Sequence, residues 1–417
     1  MKSILRCIKI FSIRILFVLS FMQLWPVPYL NGQNFVFDGK RKKESLNFSP
    51  LKNLIIVPLY INGKGPYNFI LDTGVSPLII TDHSIIDSLS LKGLRTTKLA
   101  GLGEGNDLEA YLTDIIFVRL GHASINNMPT AILKEDIFNL SNYVGVRIYG
   151  LIGYYFFNSF TVQIKYPAKK IIFTIPEVKL KKKGERIPIE IINNKPYIQL
   201  FISETGIEKT EVKMVVDLGA SHAISLESYQ GGPFPLPEKT IPANLGIGFA
   251  GLISGSIGRL NRVDIGSFSF KQVLASFPEF SQAGAKTGVT VRNGNVGSDL
   301  LKHFDLTIDY ANKAMFLKSN SFSRMTFEHD MSGMEVYIQD VAEKNYFVGR
   351  IEKDSPAENA GILPNDQLVS INFKPINEYT LDEIDLILKA GDGKRVIVQL
   401  IRDNKLVFKI LILKRRI

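Results

Sequence analysis

Phe69-Ile70-Leu71-Asp72-Thr73-Gly74-Val75-Ser76 and Met214-Val215-Val216-Asp217-Leu218-Gly219-Ala220-Ser221 share one pattern. Three apolar residues lead into an aspartate, then one variable residue, glycine, a small apolar residue and serine. The two aspartates stand 145 positions apart. The same offset carries Gly101-Leu102-Gly103 onto Gly246-Ile247-Gly248 and Gly121 onto Gly266. An offset of 144 carries Gly150-Leu151-Ile152-Gly153 onto Gly294-Asn295-Val296-Gly297, and Phe160, Ile164, Tyr166 and Lys169 onto Phe304, Ile308, Tyr310 and Lys313. Register held through four separate blocks means a duplicated unit.

Each copy reads as short strands. Leu54 to Ile61 and Tyr67 to Leu71 are β-rich runs joined by the turn Asn62-Gly63-Lys64-Gly65-Pro66. Ile115 to Leu120, Phe160 to Ile164, Ile171 to Ile175, Val212 to Val216 and Leu306 to Ile308 have the same character, and long amphipathic helices are scarce. Two mainly β lobes of about 140 residues each suit the usual domain size.

An aspartate after an apolar strand, once per copy, points to a carboxylate pair at the junction of the lobes. Two carboxyls held close together share one proton, because both cannot easily ionise. The ionised member can then draw a proton from water while the protonated one polarises a carbonyl. Gly74 and Gly219 permit the tight turns that bring the loops together. Asp-Thr-Gly alone would be no more than a turn; its recurrence in the repeat register argues for a site.

These residues, with Leu151-Ile152-Gly153 and Val296-Gly297, resemble a retropepsin-like aspartic protease duplicated within one chain, as in the bilobal pepsin-type enzymes. The resemblance spans about residues 45–318. It implies that Asp72 and Asp217 are catalytic, that Thr73, Gly74, Leu218 and Gly219 support them, and that Ser76 and Ser221 hold substrate backbone. It also implies flaps at the Gly-rich stretches carrying Gly101, Gly103, Gly246 and Gly248. One departure stands out: the family has Thr or Ser after each aspartate, and Leu218 has no hydroxyl to cross-bond to the opposite loop. Val75 and Ala220 stand where gastric enzymes place Ser, which implies a less acidic pair and a mildly acidic to neutral optimum.

Competing patterns are weaker. Residues 246–251 have dinucleotide-fingerprint spacing but no strand–turn–helix context. His222 lies near Ser221, yet no Gly-x-Ser-x-Gly elbow exists. The five His show no metal-ligand spacing, so neither metal nor organic cofactor is expected.

The 417 residues are 45% hydrophobic and 22% charged, with net charge +10 and a single Cys, Cys7, which excludes an internal disulfide and Cys-based metal sites. Residues 1–14 carry Lys2, Arg6, Lys9 and Arg14 without an acid, and an apolar run from Ile15 to Leu24 follows. A basic segment, a short apolar core and then small residues describe an export signal over residues 1–33, with a retained membrane anchor as the alternative. Those residues hold four of the 50 basic groups and none of the 40 acidic ones, so the remainder carries +6. No basic stripe with interleaved aromatics appears, so nucleic acid is not an expected partner. The densest basic cluster, Lys179 to Lys183 with Arg186, reads as a solvated connector.

Beyond about residue 319 the repeat ends. A polar connector over 319–330 leads to Ser355-Pro356-Ala357, an N-cap with proline in the first turn, and to Thr380-Leu381-Asp382-Glu383, a capping box. Asp354-Ser355-Pro356-Ala357, Ala360-Gly361 and Asn365-Asp366-Gln367-Leu368 resemble a PDZ domain of the bacterial protease-associated type. The resemblance implies a carboxylate-binding loop at Gly333, Met334, Glu335 and Val336, holding a peptide C-terminus. The expected architecture is mainly β, a bilobal acid-protease-like pair of β-barrels (34–178 and 179–318) followed by a small PDZ-like α/β sandwich (331–417). The expected function is an exported aspartic endopeptidase (periplasmic, cell-surface or secreted) acting on protein or peptide. A peptide-binding protein with impaired catalysis is the alternative that Leu218 raises.

Overall fold

A computed structural model describes residues 34–417, apart from 90, 92, 100–107, 179–182, 205–206, 249–250 and 287–291. The export-signal segment, Gly101 and Gly103 therefore lie outside the described residues.

The repeat is visible in the hydrogen bonding. In the first copy, strand Lys64–Leu71 runs parallel to Gly150–Ile152, pairing Leu71 with Ile152, and Gly150–Ile152 is flanked on its other side by Leu78–Ile80. In the second copy, Ile207–Val216 runs parallel to Gly294–Val296, pairing Val216 with Val296, with Ile224–Leu226 on the far side. The paired positions differ by 145 on the strands that lead into the aspartates and by 144 on their parallel partners, the offsets read from sequence. A fully apolar strand end such as Phe69-Ile70-Leu71 is buried on both faces because it lies inside its sheet.

The lobes meet in a third sheet, ordered Glu185–Pro188, Ala314–Ser319, Phe304–Asp309, Thr161–Lys165, Lys170–Thr174 and Lys43–Asn47. At its centre Val162 pairs with Ile308 and Ile164 with Leu306. Under the 144 offset Val162 corresponds to Leu306 and Ile164 to Ile308, so each pair maps onto the other and the pseudo-two-fold axis passes between these strands. One continuous apolar core, including Leu71, Ile152, Phe156, Val162, Val216 and Ile308, runs through both lobes and this sheet. Arg186 departs from the connector reading: it lies on strand Glu185–Pro188, paired with Phe316.

The connector is also less free than its polarity suggests. Phe327 is buried in the second lobe's core, against His303 at 4.9 Å between ring centroids, and its carbonyl accepts from Arg259 Nη1 at 2.7 Å. The C-terminal unit has its own core, including Met334, Val348, Leu368, Ile384, Val398 and Leu411. Its sheet runs Met334–Asp340, Asn345–Ile351, Gln367–Ile371, Arg395–Arg402, Lys405–Ile412. Both expected helix starts form. Ser355 Oγ accepts from the Glu358 N–H at 3.2 Å, and Thr380 and Glu383 make a complete capping box opening helix Leu381–Leu388. Asn365 adopts φ +68°, the left-handed turn asparagine tolerates.

Candidate active site

The strand pairing delivers both aspartates to the axis. Asp72 N–H donates to Ile152 O at 2.8 Å and Asp217 N–H to Val296 O at 2.9 Å, so each apolar-apolar-Gly segment fixes its aspartate's backbone. The carboxylates turn back onto their own loops: Gly74 N–H donates to Asp72 Oδ1 at 2.5 Å and Gly219 N–H to Asp217 Oδ1 at 3.0 Å. Each glycine also faces the other lobe's carboxyl. A Cβ on Gly219 would stand 2.3 Å from Asp72 Cγ, and one on Gly74 would stand 3.5 Å from Asp217 Oδ1. Close approach across the axis therefore requires glycine at 219, whereas at 74 the cross-axis contact would be an ordinary one; neither position needs glycine for a left-handed backbone.

Asp72 is 7% exposed. Burial raises its pKa, and the Asp217 charge and a side-chain hydrogen bond with Asp217 raise it further, to about 8; the Gly74 N–H and the Lys195 ammonium pull the other way. Asp72 thus keeps its proton through neutral pH when folded, whereas an unfolded chain releases it near the ordinary carboxylate range. This contribution to stability is full at acid pH and is lost as pH climbs toward the raised value.

Of the two residues that follow the aspartates, Thr73 alone makes a side-chain link across the lobes. Its Oγ1 donates to Val216 O at 2.6 Å and accepts from Leu218 N–H at 3.0 Å, spanning both sides of Asp217. Leu218 is fully buried in the shared core, and its carbonyl accepts from Ser298 Oγ at 3.0 Å. Thr73→Val is expected to strand the Leu218 N–H and the Val216 carbonyl. That costs about 2–6 kcal/mol in denaturant unfolding, at about 1–3 kcal/mol per buried unpaired group. Any hydrolytic kcat/KM that the pair supports is expected to rise several-fold in the complementary Leu218→Thr, which supplies the second hydroxyl. An unchanged rate would show that the single link already holds the pair rigid.

The two serines are held from the opposite lobe. Asn194 Nδ2 donates to Ser76 Oγ at 2.8 Å, and Asn53 Nδ2 donates to Ser221 O at 3.0 Å. Tyr143 OH and Ser221 Oγ are 2.8 Å apart. His222 turns away to Asn295 Oδ1, 2.5 Å from its Nε2, so Ser221 is bonded to tyrosine rather than histidine. Asn53, Asn194, Lys195 and Tyr143 were not singled out from sequence. A signal existed for three of them: Lys52-Asn53-Leu54 and Asn193-Asn194-Lys195 occupy equivalent hairpin turns, 141 residues apart. Tyr197 pairs with Val215, which sets Lys195 level with Asp217.

Gly246 and Gly248 lie on strand Thr240–Gly248, in a hairpin with Gly251–Ile265; the dinucleotide reading of this stretch has no helix to support it. Arg95–Leu99 and Leu108–Leu120 form the corresponding hairpin around residues 100–107. No cluster of His, Cys, Asp and Glu fit to hold a metal occurs among the described residues.

In the C-terminal unit, Gly333 and Met334 have partners already. The Asp330 carboxylate accepts from Ser332 N–H at 3.2 Å and Gly333 N–H at 2.5 Å, and Met334 N–H donates to Ser332 Oγ at 3.1 Å. Glu335 and Val336 are the second and third residues of the edge strand Met334–Asp340.

Residues 57–156 match the family model for aspartyl protease, and residues 347–402 match that for the PDZ domain. A search of curated proteins finds no significant match. Among solved structures, the chain is similar to the aspartic proteinase from Irpex lacteus, at 13% identity, covering 68% of this chain and 99% of that one with a TM-score of 0.39.

Proposed function

We propose that this chain, an aspartyl-protease domain joined to a C-terminal PDZ domain, hydrolyses peptide bonds with water activated between Asp72 and Asp217. The observation that carries the reading is the symmetric delivery of both carboxyls to one axis, with one of them raised by burial and by the other's charge. In this mechanism Asp72 holds the shared proton and donates it toward the scissile carbonyl oxygen. Ionised Asp217 removes a proton from the attacking water. The gem-diol collapses as Asp217 passes the proton it took from water to the leaving nitrogen while ionised Asp72 takes one from a gem-diol hydroxyl, so the C–N bond breaks to a carboxylic acid and an amine and the pair regains its starting protonation. The extended substrate would pair its backbone with strand edges in the cleft between the lobes.

Export is part of the proposal and is supported by the basic and then apolar residues 1–24. The PDZ domain would recruit proteins by a carboxyl-terminal segment. The second reading, a binding protein with impaired catalysis, is favoured by one residue, Leu218, because it has no hydroxyl with which to match the Thr73 bridge between the two loops.

The test is digestion of a diverse peptide library by residues 34–417, with and without a hydroxyl-bearing transition-state mimic. Endoproteolytic cuts suppressed by the mimic support the endopeptidase. Tight binding of the mimic without any cleavage would favour the binding protein.

A further inference from the structure

The PDZ unit is not free of the protease lobes. Its strand Met334–Asp340 ends the sheet, paired among the described residues only with Asn345–Ile351, so its other edge is the side to which a peptide strand would add. Helix Leu381–Leu388 packs beside that strand. The first lobe's helix Leu140–Val144 lies against the same strand, and a Cβ on Gly145, just past its end, would stand 3.1 Å from Leu381 Cδ1. The first-lobe segment thus touches both elements that border the peptide groove. A polar clasp closes the contact: Lys52 N–H donates to Asp382 Oδ1 at 2.8 Å, and Lys52 Nζ pairs with Asp385. The N–H groups of Ser332 and Gly333, at the end of the groove, are bonded to the Asp330 carboxylate, which stands in for the terminal carboxylate of a ligand.

The same segment reaches the loop of the second aspartate. Tyr143, on the helix, bonds Ser221 Oγ. Asn53, next to Lys52, bonds Ser221 O and, at 3.1 Å, Asp299 Oδ1. Ser221 is four residues from Asp217. While the clasp is shut, the Ser221 hydroxyl is taken by Tyr143 rather than offered to a substrate backbone.

We propose that the first lobe closes the PDZ peptide groove in cis, and that a peptide ending in a free carboxylate opens this clasp and raises turnover at Asp72 and Asp217. The second half rests on the endopeptidase reading; the first half does not. A groove open for only a small fraction of the time binds its ligand weaker by that fraction, and a variant that opens it recovers the difference.

The test compares residues 34–417 with Asp382→Ala/Asp385→Ala, using a fluorescein-labelled hexapeptide ending in Ala-Val-Val with a free carboxylate, and its amide. In the variant, the free-acid peptide is expected to bind about tenfold tighter, the amide weakly, and amide hydrogen exchange across 139–145 is expected to quicken. kcat/KM for peptide cleavage is expected to rise. Lys52→Asp should open the clasp likewise, and Lys52→Asp/Asp385→Lys should close it again, which separates clasp opening from misfolding. Equal affinity and equal exchange in the folded variant overturn the clasp. An open clasp with unchanged kcat/KM overturns its coupling to the site. A clasp that responds in binding and exchange, in chains that cleave nothing, leaves the clasp standing and removes the endopeptidase reading.

Discussion

Asp72→Asn and Asp217→Asn are each expected to lower kcat/KM by about 10⁴-fold, the full range of a positioned acid–base group. Asparagine keeps the size of the side chain and an oxygen for the Gly74 or Gly219 N–H, so the loops retain their shape. It can neither ionise to take a proton from water nor share one across the axis. At neutral pH the Asp72→Asn chain is expected to melt no lower than the unmodified one, since the carboxyl it loses is buried and held protonated. A lost rate with an intact fold is the signature sought. Substantial cleavage surviving in both variants would move the chemistry elsewhere.

Gly219→Ala is expected to cost about 10²-fold or more in kcat/KM, because a reacting group displaced by about 1 Å costs that much. Its Cβ would stand 2.3 Å from Asp72 Cγ and 2.4 Å from Oδ2. Real Cβ atoms do not approach so closely, so either the Asp72 carboxyl or the second lobe's loop must give way. Gly74→Ala is expected to be milder, since its nearest neighbours would be Asp72 Oδ1 at 3.0 Å and Asp217 Oδ1 at 3.5 Å. The ordering follows from the asymmetry of the site, in which Asp72 leans farther over the opposite glycine. Equal losses in the two variants would contradict it. Steady-state rates beside thermal melting separate a moved carboxyl from an unfolded chain.

Much of this was legible because duplication writes itself into spacing. The offsets of 145 and 144 match Leu71 with Val216 and Ile152 with Val296, and the parallel pairs Leu71–Ile152 and Val216–Val296 obey that match. The capping box at Thr380 and the N-cap at Ser355 were legible for a different reason, since they are set by neighbours within a few residues. The cross-chain contacts had no such mark. Lys52 and Asp385 are far apart in sequence, and nothing periodic relates a turn in one lobe to a helix in another domain. Tyr143 reads locally as an ordinary aromatic and gains its meaning only from Ser221. Phe327 was lost in a polar stretch because one buried ring does not alter the average. Arg186 reads as part of the basic cluster because its strand is four residues long and buries a single apolar side chain, Ile187, too little for a pattern to stand out beside five consecutive cluster positions.

The central claim is that one proton is shared between Asp72 and Asp217 and stays there through neutral pH. The measurement that meets it most directly is the pH dependence of kcat/KM for a single peptide between about pH 3 and pH 9, the span in which such pairs titrate. Because burial and the neighbouring charge raise Asp72, the rate is predicted to peak in the mildly acidic to neutral range and to fall on the alkaline side as the shared proton is lost. A maximum below about pH 3, where pepsin-like pairs begin to titrate, or a rate still climbing at the alkaline end, would contradict it.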